Sequence, residues 1–272
     1  MSAATPNLTQ LKAGMKASWM AGDFGQIARY IAPMGEEFVE RLAIPAGSRL
    51  LDVACGTGNT AIPAARAGAE VTGVDIATNL LDQARERARS ERLDIRFQDG
   101  DAEELPFPDH SFDFVITMFG AMFAPRPERV ASELLRVCKS GGHIAMANWT
   151  PRGFVGEQFE LMARTVPPPP GIPAPVLWGD ENIVRQRFAN GVAQLALNPR
   201  KVQFRYPFSP KDLVQFFRQY FGPTQMAFSR LDETGRAALA AESEALYIAH
   251  NRATDGTTMI EGEYLEVRAA KA

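Results

Sequence analysis

Cysteine and histidine are scarce in this chain of 272 residues, which contains two cysteines and three histidines. Cys55 and Cys138 lie far apart, and the histidines show no metal-ligand spacing with them or with one another. This distribution argues against a disulfide framework and against a zinc-type Cys/His motif. We therefore predict no metal site and a reducing, cytoplasmic environment.

The chain also lacks long apolar runs and a strong bias of charge. Residues 114–125 and 165–179 carry no charged side chain, but the first stretch is too short and the second too rich in proline to span a bilayer. The N-terminus shows no signal-peptide pattern, so we expect no leader and no membrane span. The net charge is −3 and the basic residues are dispersed, which argues against a nucleic-acid partner.

The central part of the chain alternates between two hydrophobic patterns. Between residues 48 and 149, short apolar runs typical of buried strands alternate with amphipathic segments typical of helices, five times in succession. Such alternation predicts an open parallel sheet with helices on both faces. Ligands of such sheets bind at the carboxyl ends of the strands.

The flanking sequence predicts further elements. Helical patterns cover 8–19 and 27–42 before the sheet, and a proline-rich connector follows at 165–179. Beyond it we predict a strand at 201–208 and a closing strand at 257–269. We expect four parts, which are an N-terminal helical segment (1–45), a cofactor-binding domain (46–150), a cap or substrate region with late sheet elements (151–256) and a closing strand (257–272).

The segment LDVACGTGN, residues 51–59, follows the first predicted strand directly. Gly56 and Gly58 let the chain turn with little steric penalty and leave room for a ligand against the backbone. The start of the next helix favours a carboxylate or a phosphate. Asp52, at the mouth of the same turn, attracts an ammonium group instead. A ligand with both groups, such as an amino acid, satisfies both halves of the segment.

Two more acids follow the next two predicted strands. Asp75 closes the second strand, where a carboxylate can accept hydrogen bonds from both hydroxyls of a ribose. Asp101 follows the third strand, within reach of an exocyclic amine on a base. Together with Asp52, these acids describe a nucleoside joined to an amino acid.

Four motifs in serial order resemble those of class I S-adenosylmethionine-dependent methyltransferases. They are LDVACGTGN (51–59), VTGVD (71–75), GDAEELPFPDHSFDFVI (100–116) and LLRVCKSGGHIAMANW (134–149). The resemblance is closest to the small-molecule branch that includes the ubiquinone and menaquinone biosynthesis methyltransferases. It implies an α/β, Rossmann-like sheet of seven strands, mostly parallel with an antiparallel last strand, plus N-terminal helices and a helical cap. It also implies S-adenosyl-L-methionine as the cofactor and a small, partly apolar molecule as the methyl acceptor.

The same resemblance implies which residues contact the cofactor. The methionine end would be lined by Asp52, Ala54, Gly56 and Gly58. The ribose and the adenine would be contacted by Asp75, Ile76, Asp101 and Ala102. Near the methionine portion, at the end of the fourth strand, would lie Thr117 and Met118. The family often has glycine where this chain has Ala54, and we expect binding to survive the added methyl group.

Other functions fit parts of the pattern. Gly56, Gly58 and Ala61 also match the dinucleotide fingerprint of an NAD(P)-binding oxidoreductase, although Asp52 and the serial order of the motifs favour a methyltransferase. A non-catalytic protein that binds S-adenosylmethionine is the third alternative. Of the acids around Asp101, which are Asp99, Glu103 and Glu104, one is expected to be only a solvated surface charge. The charge-rich segment 85–92 is expected to be a solvated helix face.

Eight aromatic side chains fall in segments expected near the strand ends. We predict that they form an apolar substrate pocket covered by the N-terminal helices and the cap; they are Trp19, Phe24, Tyr30, Phe119, Phe123, Trp149, Phe154 and Trp178. No general base can be assigned from the sequence. His110, Tyr30 and His143 are the candidates, and a methyl transfer can also proceed without one.

Overall fold

A computed structural model describes residues 7–272 of the chain. Seven strands form one sheet in the order β3-β2-β1-β4-β5-β7-β6. The strands are β1 (Arg49–Val53), β2 (Glu70–Asp75), β3 (Ile95–Asp99), β4 (Phe112–Met118), β5 (Cys138–Trp149), β6 (Val192–Tyr206) and β7 (Thr258–Lys271). Strands β1 to β5 pair in parallel, and β7 pairs antiparallel with β5. The predicted Rossmann-like, mostly parallel α/β sheet is confirmed.

Helices connect and flank the strands. They are α1 (Leu8–Met20), α2 (Phe24–Ala28), α3 (Ala32–Leu42), α4 (Ala61–Arg66), α5 (Thr78–Ser90), α6 (Pro127–Val137), α7 (Gly153–Thr165), α8 (Glu181–Arg187), α9 (Pro210–Tyr220), α10 (Gly222–Ser229) and α11 (Glu233–His250). Short 3₁₀ turns lie at Ala121–Phe123 and Pro175–Gly179.

The chain divides into two compact units, each assembled from several segments. The first unit contains the described residues up to Tyr30, then Pro151–Ile172 and Lys201–Glu263. Its interior is rich in aromatic rings, among which Tyr206 and Tyr247 are almost fully buried. Three helices, α7, α10 and α11, also contribute to a hydrophobic cluster around Leu161 and Leu239 in this unit.

The second unit consists of Ile31–Thr150, Pro173–Arg200 and Tyr264–Ala272. It contains β1 to β5, and the central residues of β1 and β4 are buried on both faces, as in Leu50 and Leu51 of β1 and Val115 and Ile116 of β4. Continuous apolar strands of this kind are expected in a parallel sheet covered by helices. The carboxyl ends of β1, β2 and β4 lie side by side in this unit, because these strands are parallel neighbours.

Several elements differ from the sequence prediction. The helix expected over 27–42 is interrupted between α2 and α3, where Pro33 occupies the first turn of the second helix. Strand β6 begins at Val192 rather than at Lys201. Helix α10, which begins at Gly222, is absent from the prediction. Within residues 7–272, no helix is both long enough and apolar enough to cross a membrane.

Candidate cofactor site

The glycine loop, residues 54–60, leaves β1 in a left-handed backbone conformation. Ala54, Gly56 and Gly58 have φ angles of 56°, 51° and 83°. The loop closes on itself where the Gly58 N–H donates to the Cys55 carbonyl at 2.8 Å. Glycine adopts such angles freely, whereas alanine is strained there. The position where the family often has glycine is therefore a strained residue in this protein.

The two glycines of the loop have different surroundings. A methyl group on Gly56 would meet no atom within 4 Å, so the loop is open on that side. A methyl group on Gly58 would meet Ile62 at 3.4 Å and Ala84 at 3.5 Å, at the packed side of the loop. Gly56 thus presents bare backbone, and Gly58 allows the loop to pack against helices α4 and α5.

Asp52 is fully buried at the end of β1. Its Oδ2 accepts a hydrogen bond from the Thr60 hydroxyl at 2.6 Å, and its Oδ1 has no hydrogen-bond partner. Burial, together with the nearby Asp75, raises the pKa of Asp52 to about 7, and hydrogen bonds from the Thr60 hydroxyl and the Ala61 backbone oppose the shift. A buried carboxylate oxygen without a partner costs free energy, so this oxygen suits a cationic donor on a ligand.

Asp75 anchors the loop from the end of β2. Its Oδ2 accepts the Gly56 N–H at 2.8 Å, and its Oδ1 accepts the Ala77 N–H at 2.8 Å. Burial raises the pKa of this carboxyl group, and the two backbone donors oppose the rise. A carboxylate has about four acceptor positions, so each oxygen retains capacity for a ribose hydroxyl. The role in holding the loop was not visible in the sequence.

In the segment after β3, the acids near Asp101 differ in burial and in hydrogen-bond partners. The Asp101 Oδ1 accepts the Glu103 N–H at 2.8 Å, and Ala102 is buried beside it. Glu103 is fully buried, and its carboxylate accepts both the backbone N–H and the Nε of Arg126. Glu104 is exposed. Asp99 is exposed as well, so two of the three acids around Asp101 lie at the surface, and Glu103 forms an internal ion pair.

The end of β4 lies next to the glycine loop. Thr117 is buried, and its hydroxyl oxygen accepts the Ala121 N–H at 3.2 Å, while Met118 is half-buried. Gly120 approaches the loop so closely that a methyl group on it would lie 2.5 Å from the Ala54 carbonyl oxygen. The glycine loop after β1 and the turn after β4 are thereby brought together, and Ile76 is half-buried after β2.

One residue that holds the loop was missed by the sequence reasoning. Arg87 of α5 reaches out of the segment predicted as a solvated face, and its Nη1 donates to the Thr57 carbonyl at 2.6 Å and to Asn59 Oδ1 at 2.8 Å. Desolvation lowers the pKa of Arg87. Its neighbour Arg89 is exposed and pairs with Glu86, as expected of such a face. The charge pattern shows a helix face but not which arginine turns inward.

The histidines proposed as bases lie toward the amino ends of their strands, away from the candidate site. His110 precedes β4 and is exposed, and His143 is an exposed residue in the amino half of β5 that packs on Phe114. The carboxyl ends of these strands carry the candidate site. Tyr30 belongs to the first unit, where its ring packs against Tyr206 and Phe216. No residue is assigned as a general base.

Two of the eight predicted pocket aromatics meet at the strand ends of the second unit. The rings of Phe119 and Trp149 stack in parallel with centroids 3.7 Å apart. Trp178 is buried in this unit beneath the guanidinium of Arg187. The first unit contains Trp19, Phe24, Tyr30 and Phe154. That all eight line one pocket stays a prediction.

The residues present fit S-adenosylmethionine. A partnerless buried carboxylate oxygen matches the α-ammonium group of the cofactor, and bare backbone at Gly56 leaves room beside it. In the part of the chain that the structure describes, no group of three His, Cys, Asp or Glu side chains could hold a metal ion.

Comparison with known proteins identifies the family of the chain. Residues 51–146 match a family described as "Methyltransferase domain". An uncharacterised protein of Mycobacterium tuberculosis is 35% identical over 93% of this chain and 92% of its own length. A phosphatidylethanolamine N-methyltransferase of Cereibacter sphaeroides is 40% identical over 63% of this chain and 79% of its own length.

A solved structure shares the fold. Haemonchus contortus phosphoethanolamine N-methyltransferase 2, in complex with phosphomonomethylethanolamine and S-adenosylhomocysteine, is 22% identical and has a TM-score of 0.55; the match covers 88% of this chain and 52% of that one. The chain belongs to the class I S-adenosylmethionine-dependent methyltransferases. It is an enzyme of that class, and S-adenosylmethionine is its cofactor.

Proposed function

We propose that this methyltransferase holds the methionine end of S-adenosylmethionine through Asp52 and the glycine loop, and moves the methyl group to a small, partly apolar molecule. The observation that carries the proposal is the fully buried Asp52, whose Oδ1 has no partner. The α-ammonium group of the cofactor donates to this oxygen. Gly56 offers bare backbone to the same part of the cofactor.

The remaining contacts follow the strand ends. Asp75 accepts the ribose hydroxyls while it keeps the Gly56 N–H, so one carboxylate orders both the loop and the nucleoside. Ile76 packs on one face of the adenine, and Asp101 with Ala102 contacts its polar edge. Thr117 and Met118 lie along the methionine portion. These assignments come from the family resemblance, and the position of each residue near the carboxyl ends of the strands supports them.

Catalysis by this chain is mainly a matter of positioning. When bound, the cofactor supplies an electrophilic methyl group on a positively charged sulfur. The residues at the strand ends hold it in line with the acceptor atom, which removes much of the entropic cost of the displacement. The buried rings of Phe119 and Trp149 keep water away from the same region.

The acceptor is proposed to be a small molecule with an apolar part. Support comes from the aromatic side chains at the strand ends, since Phe119 and Trp149 offer apolar surface and no charge. An ethanolamine-bearing acceptor is tested beside apolar ones, because a relative that is 40% identical is a phosphatidylethanolamine N-methyltransferase. Transfer of a labelled methyl group to ethanolamine phospholipid vesicles or to quinols distinguishes these two kinds of acceptor.

Calorimetry with two ligands tests the assignment of Asp52. S-adenosylhomocysteine carries the amino-acid group, whereas 5′-methylthioadenosine lacks it. We expect Asp52→Asn to weaken S-adenosylhomocysteine binding by about tenfold or more, since a charge-assisted hydrogen bond contributes about 1.5–3 kcal/mol. The affinity for 5′-methylthioadenosine should change little. Asp75→Ala should weaken both ligands severely, because both contain the ribose.

The control is Asp113→Asn at the amino end of β4. Asp113 accepts hydrogen bonds from the Arg49 N–H and from Lys139, away from the glycine loop. This variant should bind both ligands like the wild type. Equal losses for the two ligands in Asp52→Asn would refute the assignment of Asp52 to the ammonium group. Near wild-type affinity in Asp75→Ala would refute the ribose assignment.

A further inference from the structure

A cluster of arginines surrounds one buried acid of β7. Glu266 is fully buried, and its carboxylate accepts hydrogen bonds from three side chains of the second unit, Arg41, Arg200 and Arg268, which we call the arginine cluster. Arg268 contacts Oε1 at 2.8 and 2.9 Å, and Arg41 contacts Oε2 at 2.9 Å. Arg200 forms the longest of these contacts, with its Nη2 3.4 Å from Oε1.

The arginine cluster carries more positive than negative charge. Three guanidinium groups share the single carboxylate of Glu266, and the other acid beside them, Glu37, is exposed and lies 3.5 Å from Arg41. An exposed ion pair of this kind contributes little. Guanidinium groups do not lose their proton in proteins, so the excess charge cannot be removed by deprotonation. Like charges around one carboxylate repel each other unless solvent or an anion balances them.

Arg200 is the member of the cluster whose hydrogen bonds are least satisfied. Its Nε is buried and has no hydrogen-bond partner among residues 7–272. A buried donor without an acceptor costs free energy, which an incoming anion would recover. The cluster is also open to solvent, because 40% of the Arg200 side chain, 36% of Arg268 and 25% of Arg41 are exposed. An anion from solution can therefore reach these guanidinium groups.

The cluster adjoins the aromatic rings at the strand ends. Arg41 Nη2 donates to the Tyr264 hydroxyl at 2.9 Å. The Tyr264 ring lies 5.6 Å from the ring of Phe119 and 6.3 Å from that of Trp149, measured between centroids. Tyr264 and Glu266 are two residues apart on β7 and therefore point to the same face of the sheet. Apolar rings and excess positive charge thus lie side by side on this face.

We propose that the arginine cluster binds a phosphate group of the methyl acceptor, with Arg200 Nε as one of the donors. Guanidinium groups match phosphate oxygens with paired N–H donors. A phosphate monoester carries up to two negative charges and so balances the excess charge better than a carboxylate does. The apolar part of the acceptor then packs toward Tyr264 and the neighbouring rings. This inference rests on the proposed function, since it takes the acceptor to bind beside Phe119 and Trp149.

Titration with inorganic phosphate, followed by NMR on the arginine Nε–H resonances, tests the proposal without cofactor. Phosphate should shift the Arg200 resonance in a saturable way, whereas sodium chloride at the same ionic strength should not. Arg200→Gln identifies this resonance and should weaken phosphate binding, measured on Arg268, about three- to tenfold. The variant should fold, because Glu266 keeps two of its partners. Arg185→Gln is the matched control and should bind phosphate like the wild type, since Arg185 is exposed and also pairs at 3.4 Å, with Glu181.

Two competitors distinguish a free phosphate compound from a lipid headgroup. Phosphoethanolamine is a free monoester, and dihexanoylphosphatidylethanolamine, used below its micellar concentration, carries the same group between apolar chains. The one that displaces inorganic phosphate at the lower concentration identifies the kind of acceptor. An Arg200 resonance that responds equally to phosphate and chloride, an unchanged phosphate affinity in Arg200→Gln, or displacement by neither competitor would overturn the proposal. Each of these outcomes would leave the assignment of Asp52 intact, because Asp52 is judged on S-adenosylhomocysteine and 5′-methylthioadenosine, and Asp52→Asn should bind phosphate like the wild type.

Discussion

At the scale of single residues, the site depends on side chains whose hydrogen bonds are divided between the protein and a ligand. Asp75 uses both oxygens to accept backbone N–H groups, whereas Asp52 uses one oxygen for Thr60 and leaves the other without a partner. The difference separates their roles. Asp75 shapes the loop as well as binding, and Asp52 can change its charge with little change in the loop.

Replacing Arg87 tests how much the glycine loop depends on the hydrogen bonds that this side chain donates to it. Arg87→Ala should weaken S-adenosylhomocysteine binding and lower the free energy of unfolding by about 1–3 kcal/mol, because it leaves the Thr57 carbonyl without its charged donor. Calorimetry and denaturant unfolding measure the two effects. Arg89→Ala is the matched control, since Arg89 is exposed on the same helix and pairs only with another exposed side chain, Glu86.

The outcome for Arg87 has a clear alternative. If Arg87→Ala and Arg89→Ala both bind like the wild type, the loop is held by Asp75 and its own backbone, and Arg87 has no part in the site.

The sequence could place Asp52 and Asp75 at strand ends, because apolar runs end there. It could not single out Arg87. Several arginines alternate with acids on this helix, and the pattern does not show which of them points toward the Thr57 carbonyl.

At the scale of elements, the ends of β1 and β4 determine the shape of the site. Ala54 and Phe119 both have left-handed φ angles, and Gly120, which follows Phe119, lies close to Ala54. The methyl group of Ala54 fills the space in which a side chain on Gly120 would lie, at 2.6 Å from it. Position 54 is often glycine in the family and is alanine here, and the space taken by the Ala54 methyl group leaves room only for glycine at position 120.

Gly120→Ala tests this contact. The added methyl group would overlap the Ala54 carbonyl and side chain, and we expect a loss of about 1–3 kcal/mol in the free energy of unfolding together with weaker S-adenosylhomocysteine binding. Gly14→Ala, in α1, is the control, since its methyl group would meet no atom within 4 Å and alanine favours a helix. A Gly120→Ala protein as stable as the wild type would contradict the close approach.

The elements themselves were predicted unevenly. Strands β1, β2 and β4 and the second half of β5 were found because each contains a short apolar run, and the more polar β3 was found from its place in the alternation of strands and helices. The first half of β6 was missed, since its alternating pattern in VAQLALNPR leaves half of its side chains exposed and includes Pro199. Helix α10 was missed because Gly222, which usually marks the end of a helix, begins one here. The tight packing of Gly222 against the Ser18 carbonyl explains why glycine is required at that point.

At the scale of the whole molecule, the candidate cofactor site lies entirely within the second unit. That unit is assembled from three separate segments, and its last one, Tyr264–Ala272, supplies the end of β7 that pairs with β5. Serial motifs predicted the parallel strands because neighbouring elements follow one another in the chain. Sequence patterns did not predict the assembly of the units, since contacts between distant segments leave no local period.

One measurement tests the central claim, that Asp52 ionises to hold the ammonium group of the cofactor. Burial, with the nearby Asp75, raises the pKa of Asp52 to about 7, so at pH 6 the free protein keeps this carboxyl mostly protonated. An ammonium group beside it favours the carboxylate and lowers its pKa. Binding of S-adenosylhomocysteine at pH 6 should therefore release close to one proton, and binding should tighten as the pH rises from 6 to 8.

Calorimetry at pH 6 in buffers of different ionisation enthalpy counts the released protons, and it is repeated at pH 8.5 and with Asp52→Asn. The account predicts close to one proton for the wild type at pH 6, almost none at pH 8.5, and almost none for Asp52→Asn at either pH. No release by the wild type at pH 6, or the same release by Asp52→Asn, would contradict it.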